Sequence, residues 1–243
     1  VFLHGRGHAA LIWASQLAFF SKAYRVLAVD LPGFGHSAAA PLGPGLRGAL
    51  DFFVGPIEEL VSEEGSVALV GHSLGGLIAA EVAHRLGPAK VSRLALIAPM
   101  AFGMEVRLAA RLYLTIGPER LARLGSRLGR RPGLSGEAGP LTALRDELLG
   151  VPGGRPLAKQ AFDRLLPLIE APYAALHLLR ELEQPTLIIA GSRDPAFPLP
   201  VFLRALASMR EARLVTLDAG HSPHLELPEL TNETISAFLE QGD

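Results

Sequence analysis

Residues 69–86 read LVGHSLGGLIAAEVAHRL. An apolar run ends there, Gly-His-Ser-Leu-Gly-Gly follows at 71–76, and a helix-like run begins at once. Glycine weakens both strands and helices. Three glycines within six residues therefore mark a place where the backbone is tight, closely packed, or both. A sharp strand-to-helix turn centred on Ser73 meets that description. In such a turn the residues two before and two after the serine crowd each other. Gly71 and Gly75 remove both side chains, and Gly76 lets the helix lie close to neighbouring strands. The turn strains Ser73 and lifts its hydroxyl clear of the sheet. It also sets the serine at a helix N-terminus, where free N–H groups and positive potential suit a developing oxyanion. A glycine-rich turn with an N-capping serine would satisfy the five-residue G-x-S-x-G pattern by itself. Placement between a buried strand and a good helix argues for a nucleophile.

Working outward, short apolar runs alternate with amphipathic stretches. Strands are expected at Val1–Leu3, Arg25–Asp30, Ser66–Gly71, Arg93–Ala98, Thr186–Ala190 and Arg213–Leu217. Most have few charges, as parallel strands covered on both faces do. Helices are expected at about Leu11–Ser21, Arg47–Glu63 (kinked or broken at Pro56), Leu74–Leu86, Pro200–Ser208 and Pro228–Gln241. The alternation predicts an α/β fold with a mostly parallel sheet and flanking helices, in which the Arg25–Asp30 strand lies beside Val1–Leu3 and that strand beside Ser66–Gly71. Between Ala98 and Pro185 the alternation stops. Helical spacing there is broken by Gly-Pro clusters near 117, 132 and 153. Ligands of open α/β sheets bind outside the strand C-terminal ends, so this segment is expected to be a helical insertion over that edge. The division is a core of 1–98 and 185–243 with a helical cap over 99–184.

A serine hydroxyl is a poor nucleophile without a base. On this kind of fold an acid and then a histidine follow the serine in chain order. IIAGSRDPAFP (188–198) puts Asp194 just past one strand end, and LVTLDAGHSPHLELPE (214–229) puts His221 just past the next. Ser73, Asp194 and His221 thus fall on loops at one edge of the sheet. His221 is expected to carry the Ser73 proton and Asp194 to fix the imidazole tautomer. Asp194 and Asp218 also suit loop capping, and Glu105 is a further candidate acid. His221 and His224 form an H-x-x-H pair, but no third ligand and no HExxH pattern accompany it, so no metal is expected and His224 is assigned to ordering the loop by hydrogen bonds. In FLHGRGHAALIW (2–13) the turn after the first strand is expected to aim the Arg6 N–H at the elbow, with the Leu74 N–H expected as the other oxyanion donor. Trp13 reads as a core anchor.

Composition narrows the partners. The chain has 243 residues, 49% hydrophobic, with a formal charge of −1 and no cysteine. This suits one large core and argues against nucleic acid, and thiolate metal sites and disulfides are excluded. No apolar run reaches the roughly 20 residues that span a bilayer, so no stable membrane insertion is expected, and the location expected is cytoplasmic. The expected partner is a small-molecule ester, with no cofactor; the sequence carries no reading of oligomeric state.

HGRG at 4–7, DLPGFGHS at 30–37, GHSLGG at 71–76, GSRDPAFP at 191–198 and GHSPHLELPE at 220–229 follow one another as in the α/β-hydrolase superfamily. The chain resembles its lidded, carboxylesterase-like serine-hydrolase branch over nearly all of its length outside the insertion. The resemblance implies an acyl-enzyme mechanism, an oxyanion hole, and a helical cap inserted after the sixth strand of the family sheet. It also implies two strands ahead of the first one here, so the fold is trimmed or the chain incomplete. Serine at the elbow separates the chain from the dehalogenase and epoxide-hydrolase relatives, which carry aspartate there; Tyr113 and Tyr173 are read as packing residues. Esters come first as substrates. Thioesters, lactones, carbon–carbon bonds, or a ligand-receptor role on the same scaffold remain the alternatives.

Overall fold

The computed structural model describes residues 1–100, 156–170, 176–194 and 196–241. Among the described residues six strands make one sheet: β1 (Phe2–Leu3), β2 (Ala28–Val29), β3 (Val67–His72), β4 (Val91–Ile97), β5 (Thr186–Gly191) and β6 (Ala212–Leu217). Their spatial order is β2-β1-β3-β4-β5-β6 and every neighbouring pair is parallel. All six expected strands form, in the expected neighbourhood.

Side chains alternate between two cores. On β4, Leu94 and Leu96 point into one core and Ala95 and Ile97 into the other. On β5, Ile188 and Ala190 oppose Leu187 and Ile189 in the same way. Both faces of these strands are apolar because both are covered. The helix α1 (Ala14–Phe20), entered through a 3-10 turn at Ala10–Trp13, covers the second face with Trp13 and Phe20. The first face is covered by α2 (Gly45–Glu63), through Phe52, Phe53 and Ile57, and by α3 (Leu74–Leu86), through Leu77 and Ile78.

Of the kink or break expected at Pro56, the break does not occur: α2 runs through it as one helix. Proline clashes with the Cβ of the residue before it, and that residue is Gly55, which has none. Buried Phe52, Phe53, Ile57 and Val61 tie both halves to the core.

Of the residues expected to form a cap, α4 (Pro156–Glu170) and α5 (Leu176–Glu181) are described. Helix α4 packs Ala158, Ala161, Phe162 and Leu165 into the same core as Phe52 and Phe53, and Arg164 donates to the Gly43 carbonyl at 2.7 Å. The Gly-Pro turns near 117, 132 and 153, Glu105, Tyr113 and Tyr173 lie outside the described residues. After the sheet resumes come α6 (Leu199–Leu206), α7 (Pro223–Glu226) and α8 (Pro228–Leu239). Helix α8 is the one expected at Pro228–Gln241, whereas α7 was not foreseen. The chain turns earlier because Pro223 opens a single helical turn of its own. Helix α8 closes the second face with Ile235 and Phe238.

The sheet changes direction at β1: the chain passes outward to β2, then returns to β3 on the other side of β1. Such a switch point opens a crevice at the strand C-terminal ends. At the same edge, β5 and β6 deliver their following loops very close together. A Cβ on Gly191 would lie 1.9 Å from the Gly220 carbonyl oxygen. Backbone cannot retreat as a flexible side chain can, so Gly191→Ala is expected to destabilise the fold by about 1–3 kcal/mol. Urea unfolding checks it; an unchanged midpoint contradicts the packing described.

Candidate active site

Ser73 stands between β3 and α3 with φ 50° and ψ −113°. Positive φ is rare outside glycine and costs on the order of 1–3 kcal/mol unless the surroundings impose it. The surroundings here are backbone. A Cβ on Gly71 would lie 2.3 Å from the Gly75 carbonyl oxygen, so these two residues crowd each other as the sequence implied. A Cβ on Gly75 would lie 2.2 Å from the Leu3 carbonyl, and one on Gly76 would lie 2.6 Å from the Pro99 Cβ. The elbow is thereby wedged between the exits of β1 and β4. Hydrogen bonds fix it on both sides: the Ser73 N–H donates to Ile97 at 3.0 Å, and the Met100 N–H donates to the Ser73 carbonyl at 3.0 Å. Ala98, between those two contacts, also has positive φ, at 40°. An alanine gives no sequence signal for that conformation.

The turn after β1 lies against the elbow. A Cβ on Gly5 would sit 3.2 Å from the Ser73 Cβ, which places the His4–Gly7 loop, with Arg6, beside the serine. His4 holds this loop: its Nδ1–H donates to the Gly5 carbonyl at 2.7 Å, and its Nε2 accepts the Leu31 N–H at 2.9 Å. Asp30 steadies the neighbouring loop by accepting the Ala10 and His36 N–H groups at 2.7 and 2.9 Å. The Arg6 guanidinium lies 4.2 Å from the centre of the Phe162 ring on α4. Leu74 is fully buried as the first residue of α3.

Asp194 and His221 meet. The His221 Nδ1–H donates to Asp194 Oδ2 at 2.7 Å. The Asp194 carboxylate is completely buried, whereas His221 keeps 18% of its side chain exposed. The other carboxylate oxygen, Oδ1, accepts the N–H groups of Ala196 and Phe197 at 2.7 and 3.1 Å. Asp218 points elsewhere: it binds the Arg193 Nε–H at 2.8 Å, tying the two loops together from outside. Glu226 accepts the Gly220 N–H at 2.9 Å and so anchors the residue before His221.

Behind His221 lies a group of buried histidines that the sequence reading did not bring together. His72 donates from Nε2 to the His221 carbonyl at 2.9 Å, and its ring centre is 4.9 Å from that of His221 and 4.5 Å from that of His224. His224 also packs on Trp13 at 4.4 Å. His224 was expected to order its loop by hydrogen bonds; neither ring nitrogen has a partner among the described residues, so the ring serves packing and the hydrogen bonding runs through the backbone. Its carbonyl accepts from buried Gln16, which also donates to Asn232. Burial pushes His72 and His224 well below the usual histidine range, reinforced by neighbouring histidines. Burial also takes His4 down to about 4, with its Gly5 contact opposing. Among the described residues no group of three His, Cys, Asp or Glu side chains is arranged to hold a metal ion. Nor is any helix among them long and apolar enough to cross a membrane.

The sequence model of the Alpha/beta hydrolase family matches residues 1–234. The chain is 30% identical to the pimeloyl-[acyl-carrier protein] methyl ester esterase of Photobacterium profundum, over 99% of this chain and 94% of that protein. A 78-residue stretch is 40% identical to the (E)-2-((N-methylformamido)methylene)succinate hydrolase of Acinetobacter baylyi, covering 32% of this chain and 29% of that protein. Among solved structures, a hydrolase from Pseudomonas aeruginosa PA01 superposes with a TM-score of 0.74 at 26% identity, covering 99% of this chain and 89% of that one.

The buried histidines have a consequence in acid. In the unfolded chain each takes up a proton around pH 6.5, whereas in the folded chain His4, His72 and His224 stay neutral to well below that. The unfolded state therefore binds more protons. Stability is complete above about pH 6.5 and falls as the pH drops toward about 4, by up to about 1.4 kcal/mol per pH unit for each histidine. Thermal melts between about pH 7.5 and 5 should show a falling midpoint, and His224→Phe should flatten the slope. A midpoint that holds or rises toward acid contradicts this.

Proposed function

The chain belongs to the alpha/beta hydrolase family, and from that premise we propose that it is a serine hydrolase of carboxylic esters with small to medium apolar groups. One observation carries the reading. A buried carboxylate binds the histidine of the next loop at 2.7 Å, at the sheet edge where a strained serine heads a helix. Ser73 Oγ attacks the ester carbonyl while His221 Nε2 takes its proton, and Asp194 keeps the opposite ring nitrogen protonated and balances the imidazolium. The tetrahedral oxyanion is received by the N–H groups of Arg6 and Leu74. Collapse passes the proton to the departing alcohol and leaves an acyl group on Ser73; water activated by His221 then releases the acid. Each step is a proton or acyl transfer among these side chains, and no cofactor is invoked. The ester preference draws support from the Photobacterium relative, whose name specifies a methyl ester substrate.

Residues 99–184 are proposed as a helical cap that selects the acyl or alcohol chain. Support comes from α4, which rests on α2 and places Phe162 against Arg6 beside the elbow. An apolar inner face there favours apolar substrates.

A panel of p-nitrophenyl esters of increasing acyl length tests the proposal. Ser73→Ala and His221→Ala should abolish turnover with the fold intact, and Asp194→Asn should lower kcat by roughly 10⁴, as in the Ser-His-Asp protease template. Glu105→Gln should leave the rate unchanged. Full turnover in Ser73→Ala, or loss of turnover in Glu105→Gln with Asp194→Asn near wild type, overturns the assignment.

A further inference from the structure

We propose that Phe197 is a positioning residue for His221: its stacked ring, together with the His72 ring, forms an aromatic slot that holds the imidazole in its working orientation. The assignment rests on His221 being the base. Phe197 lies in the turn just after Asp194 and is 1% exposed. Its ring is nearly parallel to that of His221, with centres 5.2 Å apart and planes inclined by 15°. That is an offset stack, the favoured geometry for two flat rings. His72 also packs on the His221 ring, with centres 4.9 Å apart and planes inclined by 52°.

The slot is built from the same groups that hold the acid. Asp194 Oδ2 accepts the His221 Nδ1–H, while Asp194 Oδ1 accepts the Phe197 N–H. One carboxylate thus fixes the edge of the imidazole and the backbone of the residue that covers its face. His72 in turn donates to the His221 carbonyl, which fixes the backbone from behind. With one ring edge bonded and two aromatic rings packed against it, rotation of the imidazole about its Cβ–Cγ bond is opposed by those rings. That constraint is useful during turnover, when the ring first takes a proton from the serine and then returns it to a different oxygen. The stack has a second effect. The imidazole becomes positively charged at the tetrahedral intermediate, and an aromatic face attracts a cation. The contact is therefore stronger in the transition state than before it, which is the condition for raising kcat rather than merely lowering KM.

An aliphatic side chain fills similar space without a flat face. In Phe197→Leu, kcat per active site, counted by fluorophosphonate titration, should fall about tenfold, with KM within about twofold. Phe197→Tyr, which keeps the face, should restore most of the loss. In proton spectra the downfield His221 Nδ1–H resonance should broaden in Phe197→Leu and stay sharp in Phe197→Tyr; this readout does not depend on turnover and is available even to a sluggish variant. If Phe197→Leu keeps both kcat per site and a sharp resonance, the slot has no positioning role and the proposal fails. If Ser73→Ala keeps full turnover, the triad reading fails instead, so the two failures are separable.

Discussion

The backbone at Ser73 is the constraint on which the rest of this structure depends. A residue at φ 50° between a strand and a helix is stable only if its neighbours leave no room for relaxation. Here the neighbours are the carbonyls leaving β1, the turn leaving β4, and α3 pressed against both. Each close approach is possible because glycine occupies 71, 75 or 76. The strain at one serine is thereby shared by three strands and a helix. The cost, on the order of 1–3 kcal/mol, is offset by the large core these elements build on both faces of the sheet.

From that wedge the geometry of the site follows. Because β1 and β3 are neighbours at the switch point, the loop after β1 and the elbow after β3 lie against each other at one edge of the sheet. The loops after β5 and β6 come to the same edge, stapled by the Arg193–Asp218 pair outside and the Asp194–His221 bond inside. His4, His72 and His224 are neutral supports rather than proton carriers, since burial opposes their charging. One supports the loop after β1 and two pack behind His221. Rigid backing of this kind keeps a reacting geometry in place without reorganisation during each cycle.

Much of this was legible in the sequence because it is written in backbone chemistry. Gly-x-Ser-x-Gly names a close approach, six low-charge apolar runs name a two-faced parallel sheet, and Asp194 and His221 stand at strand ends in the family's chain order. What was hidden has physical causes too. Ala98 adopts positive φ under tertiary pressure, and alanine does not advertise it. Helix α2 survives Pro56 because Gly55 precedes it, a pair effect that a single-residue rule misses. The stack of Trp13, His224, His72 and His221 joins segments more than 200 residues apart, and no local pattern encodes such contacts. Phe197 reads as one apolar loop residue until the Asp194 turn lays it on the imidazole.

The central claim is that Ser73, strained by its surroundings and served by His221, is the nucleophile. The most direct measurement is covalent trapping: incubation with a fluorophosphonate, then peptide mapping by mass spectrometry. The account predicts a single stoichiometric adduct on Ser73 that forms rapidly in the folded protein and does not form when the protein is unfolded before the reagent is added. A reagent bound to another serine, or a folded protein that stays unlabelled, would contradict it.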